Sequence, residues 1–309
     1  MQRLDGAAAV PAHLADGIVA LGNFDGFHIG HQAVVGQAVA RARAEGRPAL
    51  VATFDPHPRR YFQPDAPPFR LTTLDQRERL FAAAGADAMV VFAFDEALAS
   101  LDAEAFVGER LVSALHVGGV VTGEDFTFGA KRSGNVDVLR ALSEAARFSV
   151  ETVGPVLLDG ASVSSSRVRE ALKGGEPAVA ARLLTRPFAI EGVVAHGDKV
   201  GRTIGYPTAN VDMGKYLRPA YGVYAVRGRL ADGRVLDGAA NLGVRPMFDP
   251  PKELLEAFFF DFDEDLYGQV VEVELHAFLR GEGKFDGLDA MVRQMDADCE
   301  RARDILKRT

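Results

Sequence analysis

The sequence predicts an α/β domain built on a parallel sheet, followed by a small antiparallel β-barrel with a terminal helix. Three observations carry that expectation. From residue 17 to about 153, short apolar runs alternate with amphipathic helical ones, the pattern of strands joined by crossover helices. Near residue 186 the pattern changes to alternating runs rich in β-branched and aromatic residues, with no helix between them. One long helical stretch, 287–307, closes the chain.

In the α/β part the strand candidates are 18–21, 49–54, 88–94, 118–122 and 148–153. Helix patterns lie between them at 32–45, 74–84, 103–115 and 136–146, and short helices are expected at 170–173 and 177–184. Such strands belong in a sheet covered on both faces. Ligands of these sheets bind beyond the carboxyl ends of the strands, so the residues just after each strand are the informative ones. The barrel candidates are 188–194, 221–229, 235–242, 255–262 and 270–279. Ala231-Asp232-Gly233 signals a hairpin between the second and third. The expected domains are 1–186 and 187–309.

The first strand runs into Gly22-Asn23-Phe24-Asp25-Gly26-Phe27-His28-Ile29-Gly30-His31. Strand, glycine turn and helix start aim backbone N–H groups and a helix dipole at an anion, usually a phosphate. His28 and His31 are three apart, so both can face that phosphate. The spacing fits neither G-x-x-x-x-G-K-[ST] nor G-x-G-x-x-G, and a surface turn with two solvated histidines is the alternative. After the second strand, Thr53-Phe54-Asp55-Pro56-His57-Pro58 is stiffened by two prolines, which hold Asp55 and His57. The fourth strand leads into Gly123-Glu124-Asp125-Phe126-Thr127-Phe128-Gly129, then Lys131-Arg132. Further on, Ser164-Ser165-Ser166-Arg167-Val168-Arg169 joins helix-capping serines to two arginines.

In the second part Gly197, Gly201 and Gly205 can wrap a phosphate tail whose charge Lys199 and Arg202 can counter. Thr208 and Asn210 offer neutral oxygens two residues apart, suited either to Mg²⁺ or to turn hydrogen bonds. Glu256 opens an apolar strand as a rim residue, or as a general base tuned by partial burial.

Composition narrows the classes. At 309 residues the chain has room for two domains, and a net charge of −8 provides no basic field for a nucleic-acid backbone. The single cysteine, Cys299, excludes an internal disulfide and a multi-cysteine metal site. Residues 1–16 carry Asp5 and Asp16 and have no long apolar core, so no signal peptide is expected and the cytoplasm is the expected location.

Taken together these motifs resemble the bacterial bifunctional riboflavin kinase/FAD synthetase family. The H-x-G-H of 28–31 is similar to the nucleotidylyltransferase signature. The later segments look like the family's T-F-x-P-H-P, G-x-D-F-x-F-G and S-S-T-x-I-R, with Ser166 where threonine is usual. The stretch 201–210 matches G-R-T-x-G-x-P-T-A-N, with Tyr206 at its variable aromatic position, and 279–285 resembles L-R-x-E-x-K-F. The resemblance implies a Rossmann-like nucleotidylyltransferase domain that transfers AMP from ATP to FMN, giving FAD and pyrophosphate. It implies a second domain that phosphorylates riboflavin to FMN.

By the same resemblance, His28 and His31 would act on the ATP phosphates, with Gly22, Asn23, Asp25, Gly30, Asp125, Ser165, Ser166 and Arg169 also binding ATP. Phe54, Pro56, His57, Phe62, Asp125 and Phe128 would lie on the flavin side. In the kinase domain Gly197, Lys199, Gly201, Arg202, Thr203 and Pro207 would bind ATP, Thr208 and Asn210 would hold Mg²⁺, and Glu256 would deprotonate the ribityl hydroxyl. Two departures, Met247 for threonine and Phe258-Phe259-Phe260 for His-Leu-Leu, bear on loop contacts and flavin affinity. The expected partners are ATP, riboflavin and FMN, with neither nucleic acid nor membrane, and a homo-oligomer is left open. The alternatives are a single active domain, a different phosphate-ester acceptor, or a non-catalytic flavin-binding sensor.

Overall fold

The computed structural model describes residues 1–196, 206–245 and 252–309. The expectations for Gly197, Lys199, Gly201, Arg202, Thr203 and Met247 therefore lie outside the described residues. Contacts divide the chain into two compact units, Met1–Ala66 with Thr72–Ser164, and Pro67–Leu71 with Ser165–Thr309.

The first unit is built on β1 (Gln2–Asp5), β2 (Ile18–Leu21), β3 (Ala49–Asp55), β4 (Ala88–Ala93), β5 (Gly119–Gly123) and β6 (Ser149–Val153). They pair in parallel in the order β1-β4-β3-β2-β5-β6. Alternate residues of β2 feed two cores. Ile18 and Ala20 pack with Val34, Val35, Ala38 and Ala42 of α1 (Ile29–Glu45) and Phe81 of α3 (Leu74–Ala83). Val19 and Leu21 pack on the other face with Phe106, Val107 and Leu111, and with Leu139 of α6 (Val136–Ala146). Both faces are covered, which is why the central strands read as unbroken apolar runs. After β2 the chain winds to one side through β3 and β4, then returns to β5 on β2's other flank. The topological switch point, where such sheets bind ligands, is thus the carboxyl end of β2 and β5.

Several elements differ from expectation. Strand β1 has four residues at a sheet edge, three of them exposed, and so carries no apolar signal. Two short helices, α2 (Pro58–Phe62) and α4 (Glu96–Ser100), occupy stretches where the sequence pattern shows no helix. The 103–115 helix is α5 (Ala103–Ala105) running into a π-helical stretch, Phe106–Ala114. There the Ser113 hydroxyl donates to the Gly108 carbonyl five residues back, at 2.8 Å. A two-stranded hairpin, β7 (Leu157–Leu158) and β8 (Ala161–Ser162), ends the unit.

In the second unit α7 (Ser165–Lys173) and α8 (Pro177–Leu184) precede a closed barrel. Its strands are β9 (Phe188–Ala195), β10 (Ala209–Asp212), β11 (Gly222–Leu230), β12 (Val235–Arg245), β13 (Lys252–Phe259) and β14 (Val270–Gly281). All pairs are antiparallel, in the order β10-β13-β12-β11-β14-β9. Strand β10 was not anticipated, because four residues behind a proline are too few to show alternation. The β11–β12 hairpin turns where expected, with Gly233 at φ 91° and the Arg234 N–H bonded to Asp232 Oδ1.

The side chains of Val211, Leu255 and Leu242, level with one another on β10, β13 and β12, fill the barrel. Its outer face carries Val223, Ala225 and Ala239, which pack with Ala302 and Leu306 of α9 (Leu288–Leu306). Among the described residues no helix is long and apolar enough to cross a membrane.

Leu255 is fully buried, so Leu255→Ala should destabilise the barrel by about 2–5 kcal/mol. Urea unfolding followed by circular dichroism checks this; an unchanged midpoint would contradict the packing described.

Candidate active sites

The turn leaving β2 is held by buried polar groups. Thr122 Oγ1 of β5 donates to the Leu21 carbonyl at 2.9 Å, and Thr53 Oγ1 of β3 donates to the Asn23 carbonyl at 2.8 Å. Asp25 Oδ1 accepts the Thr72 N–H at 3.0 Å, and Thr72 Oγ1 in turn accepts the Gly26 N–H at 3.0 Å. Phe24 and Phe27 adopt φ of 50° and 46°, in the left-handed region that non-glycine residues avoid. The glycines have steric roles here. A Cβ on Gly22 would meet the Phe24 ring at 3.0 Å, and one on Gly30 would meet the His28 ring at 3.2 Å.

His28 is the N-cap of α1, and its Nδ1 accepts the His31 backbone N–H at 3.3 Å. That bond fixes the neutral tautomer of His28 with its proton on Nε2, as a donor. The two imidazoles stack at 3.6 Å, and Phe24 packs edge-on against His31 at 5.3 Å. Asn23 Oδ1 is buried and accepts no hydrogen bond from the described residues. The head of α1 therefore offers histidine donors and a helix N-terminus, the equipment of a phosphate site. Asp125 is exposed just beyond β5, across the switch point.

The expected flavin-side residues fall into two groups. Phe54 and Phe128 are buried in the core and meet through Phe106, with centroid separations of 6.4 and 5.5 Å. Phe62 is 65 % exposed and packs edge-on with Tyr61 and Phe94 at 5.2 and 5.7 Å. His57 caps α2, its Nδ1 accepting the Arg59 N–H at 3.1 Å, behind the cis Asp55–Pro56 bond. Ser165, Ser166 and Arg169 lie on α7 and group with the second unit, where Arg169 Nε donates to the Phe69 carbonyl at 2.9 Å.

On the barrel, register sets the second site. Asn210 pairs with Glu256, Glu256 with Asn241, Asn241 with Val223 and Val223 with Arg280, a row across five strands. Because the side-chain period of a strand is two, this row faces outward while its neighbours fill the barrel. A cavity of about 310 Å³ lies between the row and α9, lined by Glu256, Asn241, Thr208 and Arg280 and by Met291, Met295, Asp298 and Cys299 of the helix. Arg280 Nε holds Asp298 at 2.9 Å, Gln294 donates to the same carboxylate, and the Tyr206 hydroxyl donates to Asp296. The Arg280–Asp298 and Tyr206–Asp296 bonds tie α9 down over the cavity. Burial and the Asp296 carboxylate push the Tyr206 phenol above its ordinary pKa. Thr208 and Pro207 also line a second cavity, of about 350 Å³, beside the 262–267 turn.

Comparison with known proteins shows the family of the chain. A family model described as FAD synthetase matches residues 10–167, and one described as riboflavin kinase matches 184–306. Curated proteins named bifunctional riboflavin kinase/FMN adenylyltransferase align along nearly the whole chain. The Haemophilus influenzae protein is 40% identical over 92% of both chains. That of Escherichia coli K12 is 37% identical over 93% of this chain and 92% of its own. The chain belongs to the bifunctional riboflavin kinase/FMN adenylyltransferase family. The N-terminal unit carries the FMN adenylyltransferase activity and the C-terminal unit the riboflavin kinase activity. ATP, riboflavin and FMN are the substrates. A crystal structure from Streptococcus pneumoniae, described as a macrolide-efflux protein, has the same fold, with TM-score 0.87 and 31% identity over 98% of this chain and 99% of its own.

Sequence reasoning missed Thr53, Thr72, Thr122, Arg77, Asn241 and the pair Arg280–Asp298. Arg77 left a signal, since it stands with Leu74 and Phe81 at helical spacing on the face of α3 that packs inward. Asn241 left none, because its value comes only from its level with Glu256 on the neighbouring strand.

Burial, with the Asp298 and Asp296 carboxylates, pushes the Cys299 thiol up to about 11. From an ordinary value of 9.0, its thiolate fraction at pH 8 falls by about 100-fold. Alkylation by iodoacetamide at pH 8 should be slowed accordingly in the folded protein and restored in urea. A rate equal to that of a free thiol before unfolding would contradict the burial of the thiol beside Asp296 and Asp298.

Proposed function

We propose that adenylyl transfer runs at the head of α1 with His28 and His31 as the charge-stabilising groups, and that Glu256 is the general base for phosphorylation of riboflavin. The observation that carries the second half is the outward pair Glu256–Asn241 on the wall of a cavity roofed by α9, with Asn210 level with Glu256 on the adjoining strand.

In the adenylyl transfer, a phosphate oxygen of FMN attacks the α-phosphorus of ATP and pyrophosphate leaves. The nucleophile is already anionic, so the protein need supply no base, only position and charge stabilisation. His28 Nε2–H donates to the phosphate oxygens on which charge grows, and the N-terminus of α1 adds its dipole. Asn23 presents its side-chain amide at the same strand end. The exposed Phe62, with Tyr61 and Phe94, offers an aromatic surface for the flavin ring.

In the kinase reaction an alcohol is a poor nucleophile. The Glu256 carboxylate accepts its proton as the oxygen attacks the γ-phosphorus and ADP departs. Thr208 lines both cavities, which supports riboflavin against α9 and the nucleotide beside the 262–267 turn. Thr208 and Asn210 offer neutral oxygens next to the Glu256 carboxylate, which suits Mg²⁺ arriving with its nucleotide. Thr208 and Asn210 would hold the ion, which when bound neutralises charge on the transferred phosphoryl group.

Glu256→Gln should lower FMN formation from riboflavin by about 100-fold or more while conversion of FMN to FAD stays within about 2-fold. Undiminished kinase turnover would remove Glu256 as the base. His28→Ala with His31→Ala should do the reverse, costing about 100-fold or more in FAD formation. Separation of the flavins by chromatography reads all these rates.

A further inference from the structure

The buried guanidinium of Arg77 is not used by the mechanism above. It projects from the inner face of α3 and is 3 % exposed. Its Nη1 donates to Thr53 Oγ1 at 2.9 Å, to the Asn23 carbonyl at 3.3 Å and to the Phe54 carbonyl at 3.5 Å. Its Nη2 lies 3.4 Å from the Asp55 carboxylate. One side chain thus binds the strand ends at which both turns of the adenylyl-transfer site begin.

Burying a guanidinium costs free energy that hydrogen bonds only partly return, and an apolar side chain would fill the same space more cheaply. What an apolar side chain could not do is fix the Asn23 carbonyl. That oxygen accepts from both Thr53 and Arg77, which pins the peptide directly before the positive φ of Phe24. The pinned residue is the one whose side-chain Oδ1 is buried and has no donor among the described residues. With its carbonyl held from two directions, Asn23 has one orientation in which to meet a ligand.

We propose that Arg77 is a positioning residue for adenylyl transfer, acting through Asn23 and the turn that Asn23 opens. It touches neither substrate. It holds Asn23 and the start of the turn in register with His28, and places a fixed positive charge beneath the site where the phosphates of ATP and FMN meet. The inference rests on adenylyl transfer taking place at the head of α1.

The test is a double-mutant cycle on the full-length protein, with FMN and ATP as substrates. Arg77→Met should lower kcat/KM for FAD formation by about 100-fold, the scale of a small misplacement of a reacting group. Arg77→Lys keeps the charge but not the fork, and should recover about 10-fold of that loss. In an Asn23→Ala background, Arg77→Met should cost less than about 3-fold more, because both changes remove one arrangement. Riboflavin-to-FMN turnover in the same samples should not change, which separates a local effect from general misfolding.

Adenylyl transfer by Arg77→Met within about 2-fold of wild type would overturn the proposal. So would losses from Arg77 and Asn23 that multiply, the mark of two independent structural contributions. Should Arg77→Met lose the unfolding transition of the N-terminal unit, the same cycle with Arg77→Lys decides by the same criterion. A double His28→Ala, His31→Ala protein that still makes FAD at the wild-type rate would instead remove the site itself, a failure distinguishable from that of Arg77.

Discussion

Phe24 and Phe27 both hold positive φ in the short turn that carries β2 into α1. Left-handed backbone costs an L residue roughly 1–2 kcal/mol, so the turn keeps this shape only because its surroundings hold it. Thr53 grips the Asn23 carbonyl, Thr72 bridges Asp25 to Gly26, and Thr122 fixes Leu21 from the opposite strand. The capping bond of His28 is possible only once the chain has turned, since its Nδ1 must reach the His31 N–H. The proposed phosphate site is thus a property of the whole strand end. Glycine alone does not make it; Gly22 and Gly30 clear room for the Phe24 and His28 rings.

The barrel solves a different problem with a simpler rule. Alternation along each strand sends Val211, Leu242 and Leu255 inward and leaves Asn210, Asn241 and Glu256 outward at one level. A polar row on an open barrel face would be ordinary surface. Here it borders a cavity, because α9 is fastened over it by Arg280–Asp298 and by the Tyr206–Asp296 hydrogen bond. The helix contributes Met291, Met295, Asp298 and Cys299 to the cavity at the spacing of one helical face. Tyr206 is also the neighbour of Pro207-Thr208, so the contact fastening the helix starts beside the residue that lines both cavities.

Much of this was legible in the chain. The parallel sheet followed from apolar runs separated by helical patterns, and the histidine turn from strand, glycine and helix signals in succession. Strands β1 and β10 escaped because they lack the unbroken apolar run that marks the equally short β2: β1 is mostly exposed, and β10 contains Asn210 and Asp212. The π-helical stretch after α5 escaped because its apolar spacing resembles that of an α-helix. Residues whose side chains carry reactive groups of their own, such as His28 and Glu256, stand out in the sequence as candidates. Thr53, Thr72 and Thr122 could not, since an isolated threonine in an apolar strand or turn says nothing until its carbonyl partner is known. Phe54 and Phe128 illustrate the converse. Aromatic residues in a loop motif suggested flavin contacts, yet both are buried in the core of the first unit.

Two separate reactions at two separate sites imply that different phosphorus atoms of ATP reach the flavin. The most direct test supplies riboflavin with ATP labelled at the γ-phosphate or at the α-phosphate, in parallel with FMN in place of riboflavin. The account predicts that FMN carries only the γ label, that FAD made from riboflavin carries both, and that FAD made from FMN carries only the α label. Label from the α position in FMN, or FAD without it, would contradict the division of phosphoryl and adenylyl transfer between the barrel and the parallel sheet.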